Sequence, residues 1–203
     1  MIIIGNFVHA PKDAGHIEYV IDGYIEVEEE TGRILRVGYD GKELEKTEEK
    51  ILRLDANEFL IPGFVDLHVH APQFAFHGTG TDLPLMKWLE TYTFPSEARM
   101  KDTERAISVY DTLIQRLLRN GTTTAMYFAT QHLEATKKLV DICAKYGQRA
   151  FVGKVTQDIN SPENYIEETS KALANTEKFI LYCLGDAGQN GLVRPVITPR
   201  FVP

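Results

Sequence analysis

The chain has 203 residues, a net charge of −7, 43% apolar and 25% charged side chains, a balance that excludes a disordered or collagen-like polymer. The acidic excess argues against a nucleic-acid footprint, which needs clustered Lys and Arg, and no apolar run approaches the ~20 residues that cross a bilayer. Met1-Ile2-Ile3-Ile4 is too short for a signal-peptide core. The two cysteines, Cys143 and Cys183, fall in helix-like patterns as small buried thiols, so a cytoplasmic location is the expectation.

Residues 1–60 read as a β-rich segment. Tyr19 to Val27 and Arg33 to Gly38 are β-branched runs separated by an acidic stretch that closes on Thr31-Gly32, a turn signal. Lys42 to Lys50 alternates charge signs and suggests a short exposed helix, while His9 and His16 lie in polar surroundings and read as surface residues.

From residue 61 to 203 strands alternate with helices. Pro62-Gly63 opens an apolar run, Phe64-Val65-Asp66-Leu67-His68-Val69-His70, that Pro72 closes, which predicts a buried strand. Side chains alternate along a strand, so His68 and His70 share a face about 6 to 7 Å apart along the chain. Two imidazoles on one face can share a metal ion, and a catalytic zinc typically takes three protein ligands and leaves one position for water. A bare His-x-His arises by composition in roughly 0.15 of chains with this His content. Its place at the end of an apolar strand favours ligation, because buried imidazoles without partners are costly.

The Gly78-Thr79-Gly80-Thr81 loop lacks the Lys-Ser or Lys-Thr ending of a phosphate loop. A helix is predicted over 103–119 from Ile107, Tyr110, Leu113, Ile114, Leu117 and Leu118, with Gly121 as its stop. A strand follows at Thr122 to Ala129, a helix at 133–146 ending at Gly147, and a strand at Ala150 to Thr156. Ser161-Pro162-Glu163 has the composition of a helix start and predicts a helix running to Leu184. Val193 to Phe201 is the fourth strand, although Pro195 and Pro199 restrict its regular part to little more than Val196 to Thr198. The fold class is therefore α/β, with parallel βαβ units of right-handed crossover. An eight-stranded TIM-type (β/α) barrel needs about 250 residues, so residues 61–203 suit about four of the eight strands.

The run from Pro62 to His70 resembles the first barrel strand of the amidohydrolase superfamily of metal-dependent hydrolases. Further matches, His70-Ala71-Pro72-Gln73, Tyr92-Thr93-Phe94-Pro95, Asn120-Gly121-Thr122-Thr123-Thr124 and Thr198-Pro199-Arg200-Phe201, resemble its guanine deaminase branch. The resemblance implies that His68 and His70 are metal ligands, for zinc. It places His70, Ala71, Pro72, Gln73, Arg200 and Phe201 around a small-molecule purine, with Gln73 reading the ring edge and Arg200 and Phe201 holding it. The reaction implied is hydrolytic deamination of guanine to xanthine and ammonia, and residues 1–60 become half of a small β-sandwich.

Such enzymes take a third His ligand, a Glu proton carrier, a further His and a metal-binding Asp from later strands, and no residue here sits in those motifs. The expectation is a chain with no catalytic group of its own, inactive alone, that works with a complementary C-terminal half or as a homo-oligomer. A cyclic-amide or triazine hydrolase is the alternative within enzymes. Outside them, a non-catalytic interaction remnant would use open sheet edges to bind a partner.

Overall fold

The protein is described by a computed structural model that covers residues 1–11, 15–44, 50–188 and 191–200. The chain divides into two compact units, Met1–Pro62 and Gly63–Pro203.

The first unit is built on β1 (Ile2–His9), β2 (Glu18–Glu28), β3 (Arg33–Gly38), β4 (Ile51–Arg53) and β5 (Phe59–Leu60). The β1–β2 and β2–β3 pairs are antiparallel, and β4 and β5 both pair in parallel with β1. Ile2, Ile4 and Tyr24 form its core, with Leu44 and Ile51 against them. The expected helix after Lys42 is a single tight turn, Gly41–Leu44; residues 45–49 of that expectation lie outside the described residues. His9 and His16 both meet the Glu18 carboxylate, at 3.1 and 3.4 Å.

The second unit carries one parallel sheet of β6 (Phe64–His70), β7 (Thr122–Phe128), β8 (Arg149–Thr156) and β9 (Val193–Pro199), in that order across the sheet. Between strands lie α1 (Leu85–Trp88), α2 (Phe94–Arg99), α3 (Thr103–Arg119), α4 (Leu133–Lys145) and α5 (Thr169–Leu184). In α3 the Asp102 carboxylate caps the Glu104 and Arg105 amides. Ala106, Tyr110, Leu113 and Ile114 face the core, at the spacing of one helical stripe. Gly121 (φ +86°) and Gly147 (φ +69°) end α3 and α4 in the left-handed region that side chains avoid. Leu139, Val140 and Cys143 of α4 pack with Ala125, Tyr127, Ala150 and Val152 of β7 and β8 to make the centre of the core. A buried amide, Gln148, ties this centre together: it accepts from the Tyr127 hydroxyl at 2.6 Å and donates to the Thr122 carbonyl at 2.9 Å.

Three expectations are corrected. β6 is not buried: Phe64, Val65 and Leu67 are 56%, 59% and 63% exposed, because β6 is an edge strand with a single neighbour in the sheet. The helix expected from Ser161 is a single turn, Glu163–Tyr165; the chain then extends at Ile166, and α5 begins only after Glu168, whose carboxylate caps Ser170 and Lys171. The Ser161 hydroxyl, the expected cap, donates back to the Ile159 carbonyl instead. Finally, β9 keeps register with β8 from Val193 to Pro199 despite its prolines. It is the other edge of the sheet, where an absent N–H can face away from the ladder.

Candidate functional site

At the C-terminal end of β6 the chain is irregular. Between Asp66 and Val69 the register with β7 slips, with three steps on β6 facing two on β7, a bulge of the kind that re-aims side chains. The Asp66 carboxylate accepts from the His68 amide at 3.1 Å across this bulge. His68 and His70 emerge on one face, as their spacing predicts, with ring centroids 5.0 Å apart and the two Nε2 atoms 3.1 Å apart. Phe128, the last residue of β7, lies 4.8 Å from both rings and stacks on His70 at 14°.

The paired Nε2 atoms admit two fillings. Zinc takes His nitrogens at about 2.0 to 2.1 Å in a tetrahedral set, which puts two of them roughly 3.3 Å apart, close to the distance found. One N–H between two neutral rings fits the same gap. Burial first, then the charges of Arg200 and His68, push the His70 pKa down to about 4. The ring is therefore neutral at pH 7, the form that binds a metal. The residues present fit an ion of this type. Among the described residues, no group of three or more His, Cys, Asp and Glu is placed to hold one, so the pair is a partial ligand set.

A cleft of about 530 Å³ opens beside the pair, lined by Asp66, His68, His70, Gln73, Phe76, His77 and Trp88 among others. The Trp88 indole donates to the Thr79 carbonyl at 2.9 Å and lies 5.5 Å from Phe76. Gln73 and His70 thus reach the cleft. Ala71 and Pro72 are buried, Ala71 in the core cluster, and neither is among the lining residues. His77 lines the cleft, whereas His132 is elsewhere, its Nε2 paired with the Ala98 carbonyl.

Arg200 follows β9 and lies apart from the cleft lining, yet it meets the same group of residues. Its Nη2 is 3.4 Å from Nδ1 of His70, 130 positions earlier in the chain. Its fork grips Glu97, Nη1 to Oε2 at 2.6 Å and Nη2 to Oε1 at 3.1 Å, and Nη1 also reaches Oε1 of Gln157 at 3.3 Å. Burial lowers the Arg200 pKa, but the Glu97 hydrogen bonds and charge outweigh it and hold the group above its ordinary value. Gln73 approaches the same carboxylate, Nε2 to Oε1 at 3.5 Å. Phe201 lies outside the described residues.

Glu97 is the residue that sequence reasoning misses. Its side chain is fully buried in α2, and the only sequence signal is an acid one turn after Phe94 on the apolar face of a short helical segment, where a buried charge requires a partner.

A parallel strand-and-helix sheet with two imidazoles converging at the end of its first strand is an arrangement compatible with the metal-assisted α/β enzymes of the barrel class. The comparisons sharpen this. The model of the amidohydrolase family matches residues 59–203, and the chain belongs to that family. It is 54% identical over 147 residues to guanine deaminase of Dictyostelium discoideum, covering 72% of this chain and 32% of that protein. It is 37% identical to a probable guanine deaminase of Schizosaccharomyces pombe, over 100% of this chain and 40% of that one. Among solved structures, guanine deaminase from C. acetobutylicum with bound guanine in the active site superposes with a TM-score of 0.88 at 36% identity, covering 100% of this chain and 46% of that chain. The chain thus spans between a third and a half of the length of these relatives.

Proposed function

We propose that this chain supplies the first four strands of a guanine deaminase barrel, in which a zinc ion held by His68 and His70 serves the hydrolysis of guanine to xanthine and ammonia. The observation that carries the reading is the convergence of the two Nε2 atoms, 3.1 Å apart, with a guanidinium delivered from the far edge of the sheet 3.4 Å from Nδ1 of His70. Likeness to the guanine-bound bacterial structure along the whole chain supports the same substrate.

In this reading each residue has a distinct task. His68 and His70 hold the ion as neutral imidazoles, with Phe128 stacked on the His70 ring and tilted against that of His68. When bound, the ion supplies Lewis-acid activation of water at neutral pH. Gln73 presents its amide to the purine edge from the cleft wall, and Arg200 offers N–H donors to the ring acceptors. Trp88 and Phe76 provide apolar surface for the flat ring. The family pattern assigns Phe201 to the purine as well. The N-terminal unit contributes half of a β-sandwich.

With a partial ligand set and no proton carrier assigned among its residues, the chain requires a complementary C-terminal half, or a second copy of itself, to turn over substrate. A cytoplasmic location belongs to the same proposal; among the described residues no helix is long and apolar enough to cross a membrane. The test is an assay of guanine-to-xanthine conversion by the zinc-loaded chain, alone and mixed with a polypeptide that supplies the remaining strands of the barrel. Turnover is expected only in the mixture and is expected to vanish with His68→Ala. Robust turnover by the chain alone would contradict the partial-site reading; a mixture inert toward guanine but active on a triazine or a cyclic amide would contradict the substrate.

A further inference from the structure

Glu97 is a buried, multiply bonded side chain of the second unit that the mechanism above leaves without a task. It has no exposed surface, and a buried carboxylate is stable only if its charge and lone pairs are met. Its partners are not random neighbours. They include Arg200 and Gln73, the two groups expected to read the purine, beside the buried Tyr165 hydroxyl.

We propose that Glu97 is a positioning residue for substrate recognition, which holds the Arg200 guanidinium by both of its Nη atoms and fixes the orientation of the Gln73 amide, without touching the purine itself. The inference rests on the purine reading of the site and extends it to a residue that touches no substrate.

The geometry gives this role its content. A guanidinium is a planar fork of donors, and a carboxylate that accepts from both Nη atoms fixes its plane and its rotation about the side-chain axis. Glu97 makes that two-point contact, at 2.6 and 3.1 Å, while the contacts to Gln157 and His70 are longer, at 3.3 and 3.4 Å. The His70 contact is conditional. Arg200 can only donate, so His70 Nδ1 accepts there and the ring proton sits on Nε2. A neutral ring that ligates an ion through Nε2 carries its proton on Nδ1, facing the guanidinium, and that contact is lost. Glu97 then keeps the guanidinium in place while an Nη2 donor turns from His70 to a purine acceptor. By accepting from the Gln73 Nε2, the same carboxylate leaves the Gln73 Oε1 for the ring N–H donors. One buried anion thus sets donors and an acceptor side by side, which matches guanine's carbonyl beside its ring N–H.

Two measurements on the full zinc-loaded chain test this. The first is nitrogen-15 NMR of the arginine side chains, with Arg200 assigned by the signal missing in Arg200→Lys. Wild type is expected to show separate Nη signals from a guanidinium that does not rotate freely, and Glu97→Gln is expected to average them. The second is equilibrium dialysis with radiolabelled guanine. Glu97→Gln is expected to weaken binding by up to about 100-fold, the scale of a misplaced recognition group, with zinc content unchanged. Glu97→Asp, which keeps the charge but reaches one Nη only, is expected to fall between and serves if Glu97→Gln fails to fold. In an Arg200→Lys background, Glu97→Gln is expected to retain only the smaller loss that comes through Gln73.

The proposal is overturned if the guanidinium signals of wild type and Glu97→Gln are the same, or if Glu97→Gln costs the full factor in the Arg200→Lys background, since Glu97 then does not act through Arg200. A wild-type chain that holds its guanidinium rigid, loses that rigidity in Glu97→Gln, and binds no guanine even when mixed with the polypeptide that supplies the remaining strands would overturn the purine reading instead, and leave Glu97 a structural anchor.

Discussion

β8 and β6 belong to one sheet and have opposite characters. β8 lies between β7 and β9 with α4 against it, and five of its eight residues, Ala150 and Val152 to Val155, are buried. β6 has one neighbour, five of its seven residues are exposed, and it carries both imidazoles. Arg200 follows β9, the opposite edge, and still reaches His70. Four strands about 4.8 Å apart would set flat edges roughly 14 Å from one another. The contact therefore takes most of the length of the Arg200 side chain, which reaches across the strand ends to bridge the two rims. The buried core of this unit lies in the middle of its sheet, and the candidate site residues at its two rims.

Substitutions can break or sharpen that contrast. The largest effect is expected in the middle. Leu139→Ala removes a fully buried side chain of α4 from the core cluster and is expected to cost about 2 to 5 kcal/mol, read from the urea midpoint of the second unit. A cost below about 1 kcal/mol would mean that the centre is as loose as the rim.

Next comes the buried pair of Lys154 on β8 with Glu167, Nζ to Oε2 at 2.6 Å, both side chains nearly or wholly without exposed surface. Burial lowers the Lys154 pKa, and Glu167 only partly restores it. Removing the carboxylate by Glu167→Ala leaves a buried cation, at a cost of about 3 kcal/mol at pH 7. The sign with pH follows from the lowered value. The unfolded chain binds the proton up to about pH 10.4 while the folded one gives it up sooner, so stability rises with pH between the two. The deficit of Glu167→Ala is thus expected to shrink in denaturant titrations taken from pH 7 to pH 10; a deficit that grows would contradict the assignment.

The smallest effect is expected at the rim. Leu67→Ser on β6 changes an exposed side chain and is expected to move stability by no more than about 0.5 kcal/mol in this chain. A larger loss would show that β6 is covered in solution by another polypeptide or a second copy, and the same measurement across protein concentrations would reveal which.

What the sequence reveals follows the same division. α3 and α4 are legible because a 3.6-residue stripe and a terminal glycine are local signals, and they end where Gly121 and Gly147 place them. The facing of His68 and His70 is legible because alternation in a strand is local too. The exposure of β6 is not legible, since an apolar run in sequence carries no record of how many neighbours its strand has. The start of α5 is hidden for another reason: Ser161-Pro162-Glu163 begins one turn that ends at Tyr165, and the true cap, Glu168, is a residue with little capping preference. Glu97 is hidden because its meaning comes from Arg200, 103 positions away. The motif residues Ala71 and Pro72 show the converse, a family pattern that includes side chains buried in the structure.

The central claim is that the two imidazoles of β6 hold one ion together. Calorimetric titration of zinc into the chain at pH 7, in parallel with the His68→Ala/His70→Ala variant, tests it most directly. The account predicts one zinc bound per chain, weaker than a complete three-ligand site, and none in a variant that keeps its helical signal. Equal zinc binding by both proteins, or by neither, would contradict it.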